Sequence, residues 1–414
     1  MIIIHGVTPS ACPRLLQAPL RRAASAMPVV VVTGARQTGK TTLVRDLMPG
    51  GDRRYLTLDD LDVLEQAQRD PDDLVARSPR MTLDEVQRAP GLLRAVKRAV
   101  DARRARGRFL LTGSANLLLM RRVAESLAGR ASYLTLWPMT RREQRGLATA
   151  GIWTDLLRTD PEAWPDLVEA QTVEREDWRD LARRGGYPTP ALELDTAGAR
   201  ATWFAGYTRT YLERDLQDIA NVASLIDLRR LMRAACLRLG QLVNQTELAR
   251  DVALPQPTVH RHLNLLEASY QIVRLPAYAV NRTKRLIKTP KLYWADTGLA
   301  LHLAGSPELA GAHLENVVLS DLLAWREAQT RSVDLFYWRA ATGEEVDLVI
   351  DANGTLLPIE VKMTARPRTG DLRGLQAFKA EYGRRVRGGL LIHDGERTEW
   401  LAARMLAVPW WRVL

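Results

Sequence analysis

Gly34-Ala35-Arg36-Gln37-Thr38-Gly39-Lys40-Thr41 matches G-x-x-x-x-G-K-[ST] at every fixed position. The residues before it, Pro28-Val29-Val30-Val31-Val32-Thr33, are β-branched and continuously apolar, the pattern of a parallel strand buried on both faces. Residues 42–48 continue as a helix. Glycines let the backbone wrap around phosphates, and amides at the start of the helix donate to them. Lys40 is thereby placed to reach the β and γ phosphates of ATP, and the Thr41 hydroxyl to hold Mg²⁺. Gly34 to Thr42 is the candidate nucleotide-binding segment, with Gly34, Ala35, Arg36, Gln37, Thr38, Gly39 and Thr42 around the two reactive side chains.

Outward from this loop, Met81-Thr82-Leu83-Asp84-Glu85 reads as a short strand ending in two carboxylates. Asp84 belongs in the Mg²⁺ shell, and Glu85 is the candidate to polarise the attacking water. Phe109-Leu110-Leu111-Thr112-Gly113-Ser114 is a further buried strand with polar residues at its end, where Thr112 or Ser114 would sense the γ phosphate.

The 414 residues are enough for several domains, and 46% are apolar, so global disorder is excluded. The longest apolar runs are far too short to span a bilayer, and Met1-Ile2-Ile3-Ile4-His5 has no basic segment ahead of an apolar core; a cytoplasmic, membrane-free protein is expected. Two cysteines, Cys12 and Cys236, form neither a disulfide framework nor a zinc site. The net charge is +11, with 52 of the 59 basic residues arginine, which a GC-rich genome alone can favour. The excess is concentrated in residues 1–140 (22 basic, 13 acidic) and 241–290 (7 basic, 3 acidic). Clustered positive charge points to nucleic acid.

Residues 141–235 read as a helical connector or lid. Gln245 to Val252 is a short helix, Leu254-Pro255-Gln256 a turn, and Pro257 to Leu266 a second helix with proline in its first turn. Val259, Leu263 and Leu266 face inward, while His260, Arg261 and Asn264 face outward. Tyr270 to Leu275 and a strand near Tyr293 flank a loop carrying Arg282, Lys284, Arg285 and Lys288, so a basic winged helix over 236–295 is expected to contact DNA. His260 and His262 do not share a helical face and make no metal pair.

Near the C-terminus, two strands flank Asn353-Gly354, the strongest signal for a two-residue hairpin. With that turn, Asp347 falls opposite Glu360 and Glu345 opposite Lys362. Like charges facing each other destabilise a sheet, so the two carboxylates call for a cation between them, with Lys362 beside it. Glu315 shares a helical face with Val318, Leu319 and Leu322, an odd place for an unpaired acid.

The P-loop, Leu83-Asp84-Glu85-Val86-Gln87, Leu111 to Ala115, Ser126 to Arg130, Tyr211 to Asp215 and Trp294 to Gly298 resemble the prokaryotic family of predicted AAA-type (AAA+) ATPases with a C-terminal domain of unknown function. The resemblance covers residues from about 13 to 363. It implies an α/β, ASCE-type parallel sheet with helices on both faces, and makes Arg130 a candidate arginine finger, which in trans requires a homo-oligomer. The Asp347…Glu360-x-Lys362 pattern resembles the PD-(D/E)xK nucleases, with Val346 in place of the usual proline. That resemblance implies a restriction-endonuclease-like domain in which Asp347, Glu360 and the Val361 carbonyl hold Mg²⁺ or Mn²⁺. Glu315 would complete the site, Lys362 would orient the attacking water, and Gln376 would be an accessory residue.

The expected organisation is a P-loop ATPase domain (1–140), a connector (141–235), a winged helix (236–295) and a nuclease-like domain (296–414). The expected function is an ATP-dependent DNA-binding ATPase coupled to a metal-dependent nuclease. The alternative is a nucleotide-switched regulatory or scaffold ATPase whose nuclease-like domain is an inactive interaction module. A small-molecule kinase is disfavoured by Glu85 after Asp84 and by the second metal-type site.

Overall fold

In the computed structural model of the chain, the described residues are 12–46, 52–113, 127–212, 224–280, 288–306 and 308–414. Two compact units divide it, Met1–Thr149 and Ala150–Leu414.

The first unit is built on five parallel strands, β1 (Val29–Thr33), β2 (Arg53–Thr57), β3 (Arg80–Asp84), β4 (Phe109–Thr112) and β5 (Ala131–Thr135), in the order β2-β3-β4-β1-β5. Val29 and Val31 of β1 pack with Leu83, Leu92, Val96 and Leu111 on one face. Val30 and Val32 pack with Leu20, Leu43 and Leu110 on the other. Successive side chains of a strand point to opposite faces, so a strand covered on both sides must be apolar throughout. Register places Thr57 beside Asp84 and Val32 beside Thr112, so the carboxyl ends of these strands share one edge. The unit extends past the expected boundary at 140: the helix Arg141–Gln144, closed by a capping box between Thr140 and Glu143, belongs to it.

The second unit contains all the remaining segments. Residues expected as a connector are built into its core. The Trp153 indole donates to Asp321 Oδ2 (2.6 Å), and the Trp325 indole to Thr154 Oγ1 (2.8 Å). Helices Leu225–Leu237, Gln245–Asp251 and Gln256–Ala268 precede an antiparallel pair, β6 (Ile272–Leu275) and β7 (Lys291–Trp294). A mixed sheet follows, of β8 (Val333–Arg339), β9 (Glu345–Ala352), β10 (Thr355–Lys362), β11 (Gly389–His393), β12 (Glu399–Ala402) and β13 (Met405–Pro409), in the order β12-β13-β11-β10-β9-β8. Helix Gly311–Ala328 lies against β10. The hairpin turn is Asn353-Gly354, both in the left-handed region (φ 54° and 91°). From it the ladder runs Thr355↔Ala352 through Ile359↔Leu348, the expected register, and leaves Asp347 and Glu360 at its open end.

Candidate functional site

At the carboxyl edge of the first sheet, Gly34 follows β1 at φ 142°, and a Cβ there would lie 2.3 Å from the Leu136 carbonyl oxygen, so only glycine passes. Gly39, also left-handed, turns the chain into helix Lys40–Arg45. Lys40 is buried and its ammonium donates to the carbonyls of Gly34 (3.2 Å) and Ala35 (2.7 Å). Burial lowers its pKa to about 8, against the pull of Glu85 and Asp84. Asp84 accepts from Thr41 Oγ1 (2.8 Å), from the Tyr55 hydroxyl (2.7 Å) and from Thr112 Oγ1. Thr41 and Asp84 are therefore already adjacent, as a shared Mg²⁺ shell requires. Glu85 stands in the left-handed region at φ 57° and accepts from the Gln87 amide. Thr112 is the described half of the expected sensor pair; Ser114 lies outside the described residues.

Arg130 lies apart from this site. It precedes β5 at the amino edge of the sheet, where its carbonyl accepts from Val29 N and its guanidinium donates to Asp101 Oδ1 (2.6 Å). It is thus at the opposite end of β1 from the phosphate loop and is no part of its own chain's nucleotide site. Sequence reasoning missed Arg14. Buried, it donates to Glu143 Oε1 (3.0 Å), the Thr38 carbonyl (2.7 Å) and the Trp137 carbonyl (2.8 Å), bracing the loop's backbone from behind.

In the second unit, Asp347 and Glu360 are buried, and Val361 N donates to Asp347 Oδ2 (3.0 Å). The Lys362 ammonium lies 2.6 Å from Glu360 Oε1, whereas Glu360 Oε2 is buried without a partner. Sequence reasoning also missed Lys291, which is 3% exposed. Its ammonium lies 3.1 Å from Asp347 Oδ1 and 3.9 Å from Glu315 Oε2, and contacts Glu345 Oε1. Tyr293, on the same face of β7, donates to Glu315 Oε2 (2.9 Å). Burial, reinforced by the charge on Asp347, raises Glu315 and Glu360 to about 8. The expected boundary at residue 295 would cut β7 from the carboxylates it serves. Glu315, Glu345 and Asp347 thus gather around the Lys291 ammonium, with Glu360 on the far side of Asp347 beside Lys362. Gln376 is exposed.

His260 and Arg261 are exposed on helix Gln256–Ala268, and Asn264 is half-buried, accepting from Arg274 (2.7 Å). Lys288 is exposed, while Arg282, Lys284 and Arg285 lie outside the described residues. A cavity of about 900 Å³ runs from Asn244, Gln245 and Gln256 to Lys291, Arg339 and Glu345.

Comparison with known proteins places this geometry. Residues 26–144 match an AAA domain, 175–310 a domain of unknown function (DUF8612), and 310–413 another (DUF4143). The uncharacterized protein Rv2008c of Mycobacterium tuberculosis is 30% identical over 404 residues, 95% of this chain and 82% of its own. The chain belongs to that protein's family. Another member, uncharacterized protein Mb2031c of Mycobacterium bovis, matches to the same extent. Within this family the first unit is an AAA-type ATPase domain on a parallel P-loop sheet, and the C-terminal sheet is a separate, mixed one. Two solved structures overlap more loosely. The Walker-type ATPase PABY2304 of Pyrococcus abyssi has 14% identity and a TM-score of 0.43, covering 69% of this chain and 94% of its own. RuvB of Thermotoga maritima has 18% identity and a TM-score of 0.29, covering 63% and 89%. No helix among the described residues is long and apolar enough to cross a membrane.

Proposed function

We propose that the chain is an ATP-dependent DNA-binding protein in which an AAA-type ATPase governs a metal-dependent phosphodiesterase of the PD-(D/E)xK kind. The observation that carries this reading is the open end of the β9–β10 ladder, where Asp347 and Glu360 follow the last paired residues, Leu348 and Ile359, and Lys362 sits on Glu360. Two buried carboxylates are set opposite one another there at an energetic cost that a bound cation would offset.

In the first unit Lys40 would grip the β and γ phosphates, Thr41 and Asp84 would hold Mg²⁺, and Glu85 would orient the hydrolytic water. Ser114 remains a candidate γ-phosphate sensor beside Thr112. Arg130 would act only on a neighbouring copy in a homo-oligomer. In the second unit Glu315, Glu345, Asp347 and Glu360 face Lys291, Lys362 and, at Glu345, Arg339, and Glu360 Oε2 is free to accept a divalent ion. Asp347, Glu360 and the Val361 carbonyl would hold Mg²⁺ or Mn²⁺, which supplies charge neutralisation of the scissile phosphate and an acidified water. Lys362 would steady that water and the phosphate.

The three helices with β6 and β7 read as a winged helix. His260, Arg261 and Asn264 would face the groove, and Arg282, Lys284, Arg285 and Lys288 the phosphate backbone. The cavity between these helices and Lys291 supports passage of a strand from one to the other. A cytoplasmic location suits a DNA substrate.

One observation favours the second reading, a nucleotide-switched scaffold: Lys291 and Lys362 already pair with all four carboxyls. Cleavage of labelled linear and branched DNA with Mg²⁺ or Mn²⁺, with and without ATP, separates the two. Cutting by the wild type that falls at least about 100-fold in Asp347→Ala supports the nuclease. Intact ATPase activity with no cutting on any substrate supports the scaffold.

A further inference from the structure

We propose that Lys291 is a built-in cation standing where a second divalent ion would otherwise sit, among Glu315, Glu345 and Asp347, so that the cluster takes a single metal ion at Asp347 and Glu360. The inference rests on the phosphodiesterase reading and specifies its metal content.

The two sides of Asp347 are unlike. Its Oδ1 is 3.1 Å from the Lys291 ammonium, which also contacts Glu345 and lies 3.9 Å from Glu315. Its Oδ2 accepts from Val361 N on the side of Glu360, whose Oε2 has no partner. The first side already holds a positive charge, and the second has acceptor capacity left over.

Lys291 is buried on a strand held at both ends. It begins β7, pairs with Leu275 of β6 and bridges Leu242, while three residues on Trp294 is clamped through both Asn316 amide atoms (2.9 and 2.8 Å) to helix Gly311–Ala328. An ammonium contacts oxygens at about 2.7–2.9 Å and requires no fixed coordination number, whereas Mg²⁺ demands near-octahedral oxygens at about 2.0–2.1 Å. Asp347 at 3.1 Å and Glu315 at 3.9 Å reach Lys291 unequally, which an ammonium tolerates and Mg²⁺ does not. That also explains why Glu315, an acid on an apolar helix face, is tied down by Tyr293 instead of joining Glu360.

Mn²⁺ binding to the full-length, nucleotide-free protein, followed by the loss of the free-ion paramagnetic resonance signal, tests this. Ions also bound by Asp347→Ala, including any at Thr41 and Asp84, are subtracted. The wild type should bind one Asp347-dependent ion per chain, and Lys291→Met, which keeps the apolar stem without the charge, should bind two. Lys291→Arg, read alongside circular dichroism in case Lys291→Met does not fold, should still bind one. Two ions in the wild type would overturn the built-in cation while leaving the phosphodiesterase standing. No ion in the wild type, with no DNA cleavage, would overturn both.

Discussion

Lys40 shows how a buried charge is tuned by its own loop. Its ammonium rests on two backbone carbonyls, and burial brings its pKa down to about 8 in spite of Glu85 and Asp84. The protonated form is the one that binds phosphate, so ATP affinity should be constant below pH 8 and fall as pH rises through it. A nucleotide titration from pH 7 to 9.5 checks the sign; affinity that climbs above pH 8 would contradict it. Lys40→Ala should lower ATP turnover by about 10²–10³-fold, the usual cost of removing one donor from developing phosphate charge. Arg14 works at one remove from the phosphates. Its substitution by alanine leaves Glu143 buried without its cationic partner, an expected loss of about 3–5 kcal/mol that denaturant unfolding of the first unit would register.

Among the elements, the β9–β10 hairpin was the most legible in advance. Asn353-Gly354 accepts two positive φ angles, as a two-residue turn demands, and a turn of that length fixes the pairing of the two strands, both buried along nearly their whole length. Gly354→Ala places a Cβ in the left-handed region and should cost about 1–2 kcal/mol, visible as a lower urea midpoint; an unchanged midpoint would mean that the turn does not hold the register. The strand and loop at 28–41 were equally legible, since each signal there is local. Lys291 was not, because its partner Asp347 lies 56 residues away and nothing near position 291 announces an acid. Arg14 was hidden for the same reason, 129 residues from Glu143. For Arg130 the resemblance supplied a residue but not the edge of the sheet on which it falls. Trp153 and Asp321, 168 residues apart, likewise concealed that the expected connector is core.

For the molecule as a whole, similarity to the mycobacterial relatives runs over 404 residues and so spans both units. With a net charge of +11, DNA affinity should fall steeply as salt rises, with a log–log slope set by the number of phosphates neutralised. Fluorescence anisotropy across a salt series measures it, and a flat response would remove DNA as the partner. Inside the second unit, β7 is at once the partner of β6 beside helix Gln256–Ala268 and the carrier of Lys291 and Tyr293. In mechanical terms this is a lever with no joint. A partner that loaded the exposed face of that helix, as the proposed DNA contact would, would push through the paired strands on an ammonium seated among carboxylates, so that contact and charge balance would share one strand.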